Sequence, residues 1–190
     1  MVDREYRKKE TEPEREQKSL WEVELEEEEA VVTEDVGEVI RQTIFYLEPE
    51  WYSVDTERLE EVIAVGPITY VPYTPGFIHG LINLRGNVVV AGDIREFFGL
   101  EGIKLKKESR IMVVKIGKKT TGILVDYVSD VLDIPVKDIQ PPLATIKGPR
   151  AEFIKGEIKL SDGRFLSLLD LEKVMVSGQM QAISNKEKVI

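Results

Sequence analysis

The sequence has no cysteine and only one histidine, His79. Disulfides and thiolate-bound metal sites are therefore excluded, and a metal site built on histidine is not expected. No apolar run approaches the roughly 20 residues that a membrane-spanning helix requires. The N-terminal stretch also lacks the apolar segment of a secretory signal, so we expect a cytoplasmic protein without direct membrane insertion.

Charge is distributed unevenly along the 190 residues, whose formal net charge is −9. Residues 1–38 contain 15 acidic and 6 basic side chains, whereas the rest of the chain contains 20 of each. The acidic excess therefore belongs to the leader, and the remaining part is neutral. A neutral body lacks the basic face that nucleic-acid binding requires, so no nucleic-acid partner is expected.

The acidic leader, residues 1–38, has too few large apolar side chains to offset the entropy of ordering and is predicted to be disordered. Residues 20–25 (LWEVEL) form an exception. Three interpretations stay open for them: a docking motif, a strand that adds to a sheet edge, or apolar residues without a role in a solvated tail. Residues 39–183 are predicted to form the folded domain and residues 184–190 a frayed end.

The body alternates short β-branched and aromatic segments with turns rich in glycine and proline, which is typical of small barrels or sandwiches. Residues 77–100 predict a strand, a turn at residues 85–87, a second strand and a short helix. In that turn glycine takes positive φ freely and asparagine tolerates it. Asp93 is expected to cap the helix. Residues 59–65 combine a helix-like start with β-branched residues and predict a kinked strand.

The strand–turn–strand–helix unit occurs twice. Residues 77–80 (FIHG) return as residues 153–156 (FIKG), and the turn at residues 85–87 is matched at residues 161–163. The glycines of the two tetrapeptides lie 76 positions apart, and the following aspartates 77. Two unrelated hairpins with shared turn chemistry would be the alternative. The conserved order of the matches favours a duplication and two similar subdomains.

No catalytic set is recognisable. The sequence contains no G-x-G-x-x-G or Walker-type phosphate loop, and His79 has no serine or aspartate partner at a catalytic spacing. Asp93, Asp126 and Asp170 could form a carboxylate cluster, but helix caps and a strand end explain them better. We therefore expect no catalytic residue, no metal and no cofactor, and the profile is that of an interaction module.

The aromatic residues of one predicted hairpin offer a competing interpretation. Tyr46, Trp51 and Tyr52 could stack bases, as in oligonucleotide-binding barrels. Packing in the core or at an edge is favoured, because few basic residues lie among them. A small-ligand or single-stranded nucleic-acid-binding barrel therefore stays the weaker alternative.

The motif Asn83-Leu84-Arg85-Gly86, followed by Asp93-Ile94-Arg95 and Phe98-Gly99, closely resembles the CheW family of chemotaxis coupling proteins. The resemblance runs from about Thr43 to Val176. Further matching pieces are Phe45-x-Leu47, Tyr52-x-Val54-Asp55, Gly122-x-x-Val125-Asp126, Val128-Ser129-Asp130-Val131-Leu132 and Asp162-Gly163-Arg164.

The resemblance implies an all-β fold of two five-stranded SH3-like barrel subdomains with short helices. It also implies a non-enzymatic adaptor at membrane-associated receptor clusters. Such a protein joins the regulatory domain of the chemotaxis histidine kinase to the cytoplasmic tips of chemoreceptors. A scaffold of the same family in a non-chemotaxis kinase pathway stays open as an alternative.

The resemblance also assigns roles to individual residues. By motif position, the kinase-facing surface would include Leu59 and Gly80. The receptor-facing groove would include Arg85, Ile111 and Val131, with Glu61 paired to Arg85.

Two positions depart from the family pattern. Residues 90–92 (VAG) stand where the family often has proline and two aliphatic residues, and Gly92 is expected to create a bulge. His79 stands where a lysine is common.

Overall fold

A computed structural model describes residues 37–142, 149–160 and 163–177. The predictions for residues 1–36, for the turn residues Ser161 and Asp162 and for residues 184–190 lie outside the described residues. The described residues form ten strands, which are β1 (Val39–Leu47), β2 (Glu50–Asp55), β3 (Leu59–Ala64), β4 (Ile78–Leu84), β5 (Asn87–Gly92), β6 (Arg110–Ile116), β7 (Lys119–Val125), β8 (Tyr127–Pro135), β9 (Ile154–Lys159) and β10 (Phe165–Leu169).

Helices are few and short in the described residues. One α-helix, α1 (Leu171–Val176), follows β10, and four 3-10 helices cover Thr56–Arg58, Arg95–Phe98, Val136–Asp138 and Pro149–Phe153. None of the described helices has the length and hydropathy needed to span a membrane. The prediction of a mostly β protein with short helices is confirmed.

The strands form two five-stranded sheets. Sheet 1 has the order β8-β1-β2-β10-β9, and sheet 2 has the order β3-β6-β7-β5-β4. Neighbouring strands are antiparallel except for β2 beside β10 and β5 beside β7, which are parallel. Each sheet combines two strands from one half of the chain with three from the other. The chain passes between the sheets after β2 and again after β7, so the two halves are interleaved.

The sequence repeat corresponds to equivalent positions in the two sheets. The hairpins β4–β5 and β9–β10 each supply the last two strands of a sheet. The backbone N–H of Asp93 donates to the carbonyl of Phe77 at 2.7 Å, and that of Asp170 donates to Phe153 at 2.8 Å. The repeated residues therefore make the same main-chain contacts in both sheets.

Each of these hairpins also contains a bulge at the same place. Ile78 pairs with Gly92 and Gly80 with Ala91, so His79 is the extra residue of β4. In the second hairpin the same register shift leaves Lys155 as the extra residue of β9. The bulge expected at Gly92 therefore lies on the facing strand, because a bulge adds its residue to one strand only.

A short backbone segment links the opposite edges of each sheet. Thr69, which follows β3, exchanges two hydrogen bonds with Leu81 of β4 at 2.8 and 2.9 Å. Gln140, which follows β8, does the same with Glu157 of β9 at 2.9 and 2.8 Å. We call the segment at Thr69 the first closing segment and the segment at Gln140 the second. Each one connects the strands that stand first and last in its sheet.

Three hydrophobic clusters hold this arrangement together. One lies within sheet 2 and includes Ile111, and another lies within sheet 1 and includes Ile44. The third and largest joins residues of both sheets, such as Phe45 and Met112. Successive side chains of a strand point to opposite faces. Ile111 and Met112 are neighbours on β6 and therefore point to opposite faces. Both are fully buried, and they belong to different clusters.

Two local predictions have specific outcomes. The turn between β4 and β5 consists of Arg85 (φ 53°) and Gly86 (φ 90°), so arginine takes the positive φ that was expected of Asn87. Two positive φ angles match the type I′ turn, whose twist suits a two-residue hairpin. The predicted kink in β3 is confirmed as a register shift between Leu59 and Glu61.

The two expected helix caps differ. Asp170 caps α1 by accepting a hydrogen bond from the Lys173 N–H at 3.1 Å. Asp93 was expected to cap in the same way, but Ile94 occupies the cap position of the 3-10 helix. The Asp93 carboxylate instead accepts the Arg95 N–H at 3.0 Å and makes further bonds described below.

Candidate interaction surface

Arg85 projects from the β4–β5 turn, and its side chain is 80% exposed. Its Nη2 donates to Oε2 of Glu61 on β3 at 2.9 Å, which is the pairing expected from the resemblance. β3 and β4 are opposite edges of sheet 2, so the ion pair links the two edges as the closing segment does. An exposed pair adds little stability. The guanidinium carries further N–H donors, and a group of this kind can bind a carboxylate through two of them at once.

Val131 lies on the edge strand β8 of sheet 1 and is 51% exposed. It pairs with Thr43 of β1, and the adjacent Leu132 is also exposed. An edge strand with exposed aliphatic side chains can contact a partner through packing. Val131 therefore lies in sheet 1, whereas Arg85 lies in sheet 2.

Ile111 and Leu59 have different surroundings from Val131. Ile111 has no exposed surface and packs inside sheet 2 between Ile63 and Leu124. Leu59 is half-buried against the cluster shared by the two sheets. The Ile111 side chain therefore offers no surface for direct contact with another protein.

Gly80 is buried under the first closing segment. A Cβ at this position would lie 2.2 Å from the carbonyl oxygen of Thr69 and 2.9 Å from Cγ2 of Ile68. Its φ of +146° is also one that residues with a side chain rarely adopt. A side chain here would meet the protein's own backbone before it met a partner, so Gly80 positions the Ile68–Thr69 segment.

The aromatic hairpin does not form an open stacking platform. Tyr52 is completely buried, and its hydroxyl donates to Glu50 Oε2 at 2.7 Å. Burial, reinforced by the Glu50 carboxylate, raises the pKa of Tyr52 far above its usual value. Tyr46 packs on Trp51 with ring centroids 4.9 Å apart, and the Arg164 guanidinium covers the Trp51 ring. Packing explains these residues better than base stacking.

No group of three histidine or acidic side chains in the described part of the chain is placed to hold a metal ion. Among the candidate site residues, Arg85 on sheet 2 and Val131 on sheet 1 have exposed side chains.

Comparison with known proteins now identifies the family. Residues 42–179 match the CheW-like domain. The chain belongs to the CheW family. The chemotaxis protein CheW of Klebsiella aerogenes is 33% identical over 161 residues, which cover 84% of this chain and 96% of that protein. The CheW of Helicobacter pylori is 29% identical and covers 83% and 94%.

A solved relative has the same fold. The crystal structure of the scaffolding protein TtCheW from Thermoanaerobacter tengcongensis superposes with a TM-score of 0.65 at 31% identity. The match covers 75% of this chain and 92% of that one. The resemblance that was based on the motif series is therefore confirmed.

One part of the CheW motif forms a buried ionic network that the sequence interpretation missed. The Arg95 guanidinium is 2% exposed and contacts two carboxylates, those of Asp93, at 3.2 Å, and of Asp126. Asp126 also accepts the backbone N–H of Glu48 at 2.8 Å, and Asp93 accepts that of Ile103 at 2.6 Å. Glu48 lies in the β1–β2 turn of sheet 1. The network therefore ties sheet 2 to sheet 1.

Asp93 and Asp126 are thus ligands of one arginine rather than independent caps or strand ends. The available signal was the Asp-x-Arg spacing in a short helix whose other residues, such as Phe97 and Phe98, are apolar and buried. An arginine inside such a segment needs buried carboxylate partners.

Proposed function

We propose that this protein is a non-enzymatic adaptor that couples chemoreceptors to the chemotaxis histidine kinase. Membership of the CheW family across residues 42–179 is the observation that supports this most directly. Two further facts agree with it. The Klebsiella relative named a chemotaxis protein is covered over 96% of its length, and the solved relative is described as a scaffolding protein. An adaptor of this kind works by holding partners and performs no reaction.

We propose that each sheet curls into a five-stranded SH3-like barrel and that residues 39–183 form one domain of two such barrels. The closing segments at Thr69 and Gln140 support this, because each links the first strand of a sheet to the last. The ion pair between Glu61 and Arg85 spans the same two edges of sheet 2. Separate clusters inside each sheet fit two barrel interiors.

The proposed partners bind on different surfaces. The kinase regulatory domain would bind near Leu59 and Gly80, and the receptor tip would bind Arg85 and Val131, with Ile111 supporting that surface from the core. Two sites on one rigid body raise the effective concentration of the second partner once the first is bound. Any effect of one partner on the affinity for the other is then reciprocal. This arrangement would place the protein in the cytoplasm at receptor clusters.

The test uses the full chain in titration calorimetry against the kinase regulatory domain and, separately, a receptor cytoplasmic tip. The adaptor function predicts saturable binding to both. Binding to neither protein would overturn it.

A family scaffold in a different kinase pathway is the second candidate. One relative, Protein FrzA of Myxococcus xanthus, is 29% identical over 131 residues and is not named as a chemotaxis protein. Titration against kinase domains from each pathway separates the two candidates, because the true partner binds more tightly.

A further inference from the structure

An exposed connection spans the buried ionic network of Arg95. It consists of residues 99–108, between the 3-10 helix Arg95–Phe98 and β6, and we call it the strap. Gly99 begins it with a φ of 69°, which turns the chain out of the helix. Residues 101, 102 and 104–108 are exposed. The strap therefore lies at the surface, beside the place where the network joins the two sheets.

The strap is attached to the sheets by few bonds. In the described structure no main-chain to main-chain hydrogen bond joins residues 101–108 to a strand. The inner attachment is Ile103, whose N–H donates to Asp93 Oδ2 at 2.6 Å and whose side chain packs on the cluster within sheet 2. The outer attachment is the ion pair between Lys106 Nζ and Glu48 Oε2 at 3.1 Å. A segment held in this way opens at a lower free energy than a paired strand.

The outer attachment links the two sheets and is the more easily released. Lys106 precedes β6 of sheet 2, whereas Glu48 lies in the β1–β2 turn of sheet 1. Their side chains are 56% and 61% exposed. A hydrogen bond and charge from Glu48 raise the pKa of Lys106, so the lysine stays charged at neutral pH. An exposed pair of charges is nevertheless weakened by dissolved salt.

Space next to the strap allows it to move. A cavity of about 520 Å³ is lined by strap residues together with Glu48, Arg95 and Asp126. The Arg95 side chain is nonetheless only 2% exposed. Because the strap borders a cavity on this side, it can shift without disturbing a close-packed core. Water admitted by such a shift would reach the ion pairs of Arg95.

Glu48 connects the strap with the network directly. Its carboxylate holds Lys106, and its backbone N–H donates to the Asp126 carboxylate at 2.8 Å. The bonds within the network are charge-assisted and gain strength from exclusion of water. Hydration would therefore weaken the bonds between Arg95 and its two carboxylates, and with them the tie between the sheets.

We propose that the strap is a cover closed by the Lys106–Glu48 ion pair, and that its opening admits water to the Arg95 network and loosens the junction of the two sheets. The inference is independent of the proposed adaptor function, because it concerns contacts within one chain. It makes the rigidity of the junction sensitive to salt and to any charged group that competes for Lys106 or Glu48.

The experiment is native-state amide hydrogen exchange of the full chain, followed by NMR. The amides of Ile103 and Glu48 report on the strap and the network, because each donates to a network carboxylate. The amides of β6, a buried interior strand of sheet 2, report on global unfolding. We expect Lys106→Gln to lower the protection factors of both reporter amides about three- to fivefold and to leave those of β6 within about twofold.

The matched control is Lys107→Gln, which removes the same charge from the next residue of the strap. The Lys107 side chain is exposed and makes no ion pair within the described residues. This variant is expected to change the reporter amides by less than about twofold. Raising the salt concentration from about 0.05 to about 0.5 M should lower their protection in the wild type and change it little in Lys106→Gln.

Unchanged protection of Ile103 and Glu48 in Lys106→Gln overturns the inference. Equal loss in Lys106→Gln and Lys107→Gln also overturns it, because the effect would then come from net charge. Loss at Ile103 alone would show that the strap opens without exposing the network, and equal protection of Ile103 and β6 in the wild type would show that it opens only on global unfolding. Either result contradicts the proposed cover.

Discussion

The hairpins β4–β5 and β9–β10 have the same main-chain arrangement but different ionic surroundings. Both contain a bulge and precede a short helix. In both, the aspartate after the second strand donates its backbone N–H to the carbonyl of the phenylalanine before the first strand. In the first, Arg95 is buried between Asp93 and Asp126. At the equivalent position in the second, Glu172 is exposed and pairs with Arg58 at 2.6 Å. The repeat is therefore preserved in the backbone hydrogen bonds, whereas the side chains at equivalent positions differ in burial and in ionic partners.

The largest difference between the two hairpins should appear in stability. We expect Arg95→Ala to lower the free energy of unfolding by about 3–5 kcal/mol, because it leaves two buried carboxylates without their partner. We expect Glu172→Ala, at the equivalent position, to cost about 0–1 kcal/mol, since its pair is exposed to water. Urea unfolding of both variants checks this. Similar losses in the two would show that the network is not specific to the first hairpin.

A second comparison concerns the glycines under the two closing segments. We expect Gly80→Ala to cost roughly 3 kcal/mol, because the new Cβ collides with a backbone oxygen and the positive φ adds strain. Gly156→Ala should cost roughly 1–2 kcal/mol, because Cγ2 of Ile139 at 2.6 Å belongs to a side chain that can shift, although Gln140 O at 2.9 Å is backbone. Thermal unfolding gives the order, and a larger loss at Gly156 would contradict the role assigned to φ at Gly80.

Arg85 and Arg41 form a third matched pair, since each is an exposed arginine bonded to a carboxylate. We expect Arg85→Gln to weaken receptor-tip binding by about tenfold, or about 1.4 kcal/mol. Arg41→Gln, in sheet 1, should leave it within about twofold. Calorimetric titration measures both, and equal effects would remove Arg85 from the receptor surface.

The smallest expected effect is electrostatic and lies between β1 and β8. A hydrogen bond and charge from Arg41 lower the pKa of the Asp133 carboxyl below its ordinary 3.8. The stabilisation is therefore present above pH 3.8 and is lost as the pH falls through the lowered folded-state value. Arg41→Gln should raise this pKa toward 3.8, as an NMR titration of Asp133 would detect. No change would mean that the pair does not persist in solution.

The sequence predicted the parts of this structure that depend on local patterns. The alternating strands, the repeated hairpins, the Asp170 cap and the kink in β3 follow from periodicity and turn chemistry. The CheW motif series also predicted the family. These features are determined within a few residues of the chain.

What the sequence did not predict depends on contacts between distant segments. The burial of Arg95 needs Asp126, which lies 31 positions away and beyond the two strands β6 and β7. The reason for glycine at position 80 is the backbone of Thr69, which reaches it only after the sheet edges meet. Ile111 could not be assigned to core or surface from alternation, because both faces of β6 are buried.

The adaptor account is tested most directly by titrating the receptor tip into the protein already saturated with the kinase regulatory domain. The account predicts a ternary complex in which receptor binding persists, because the two partners occupy different surfaces. Displacement of the kinase domain by the receptor tip would contradict it.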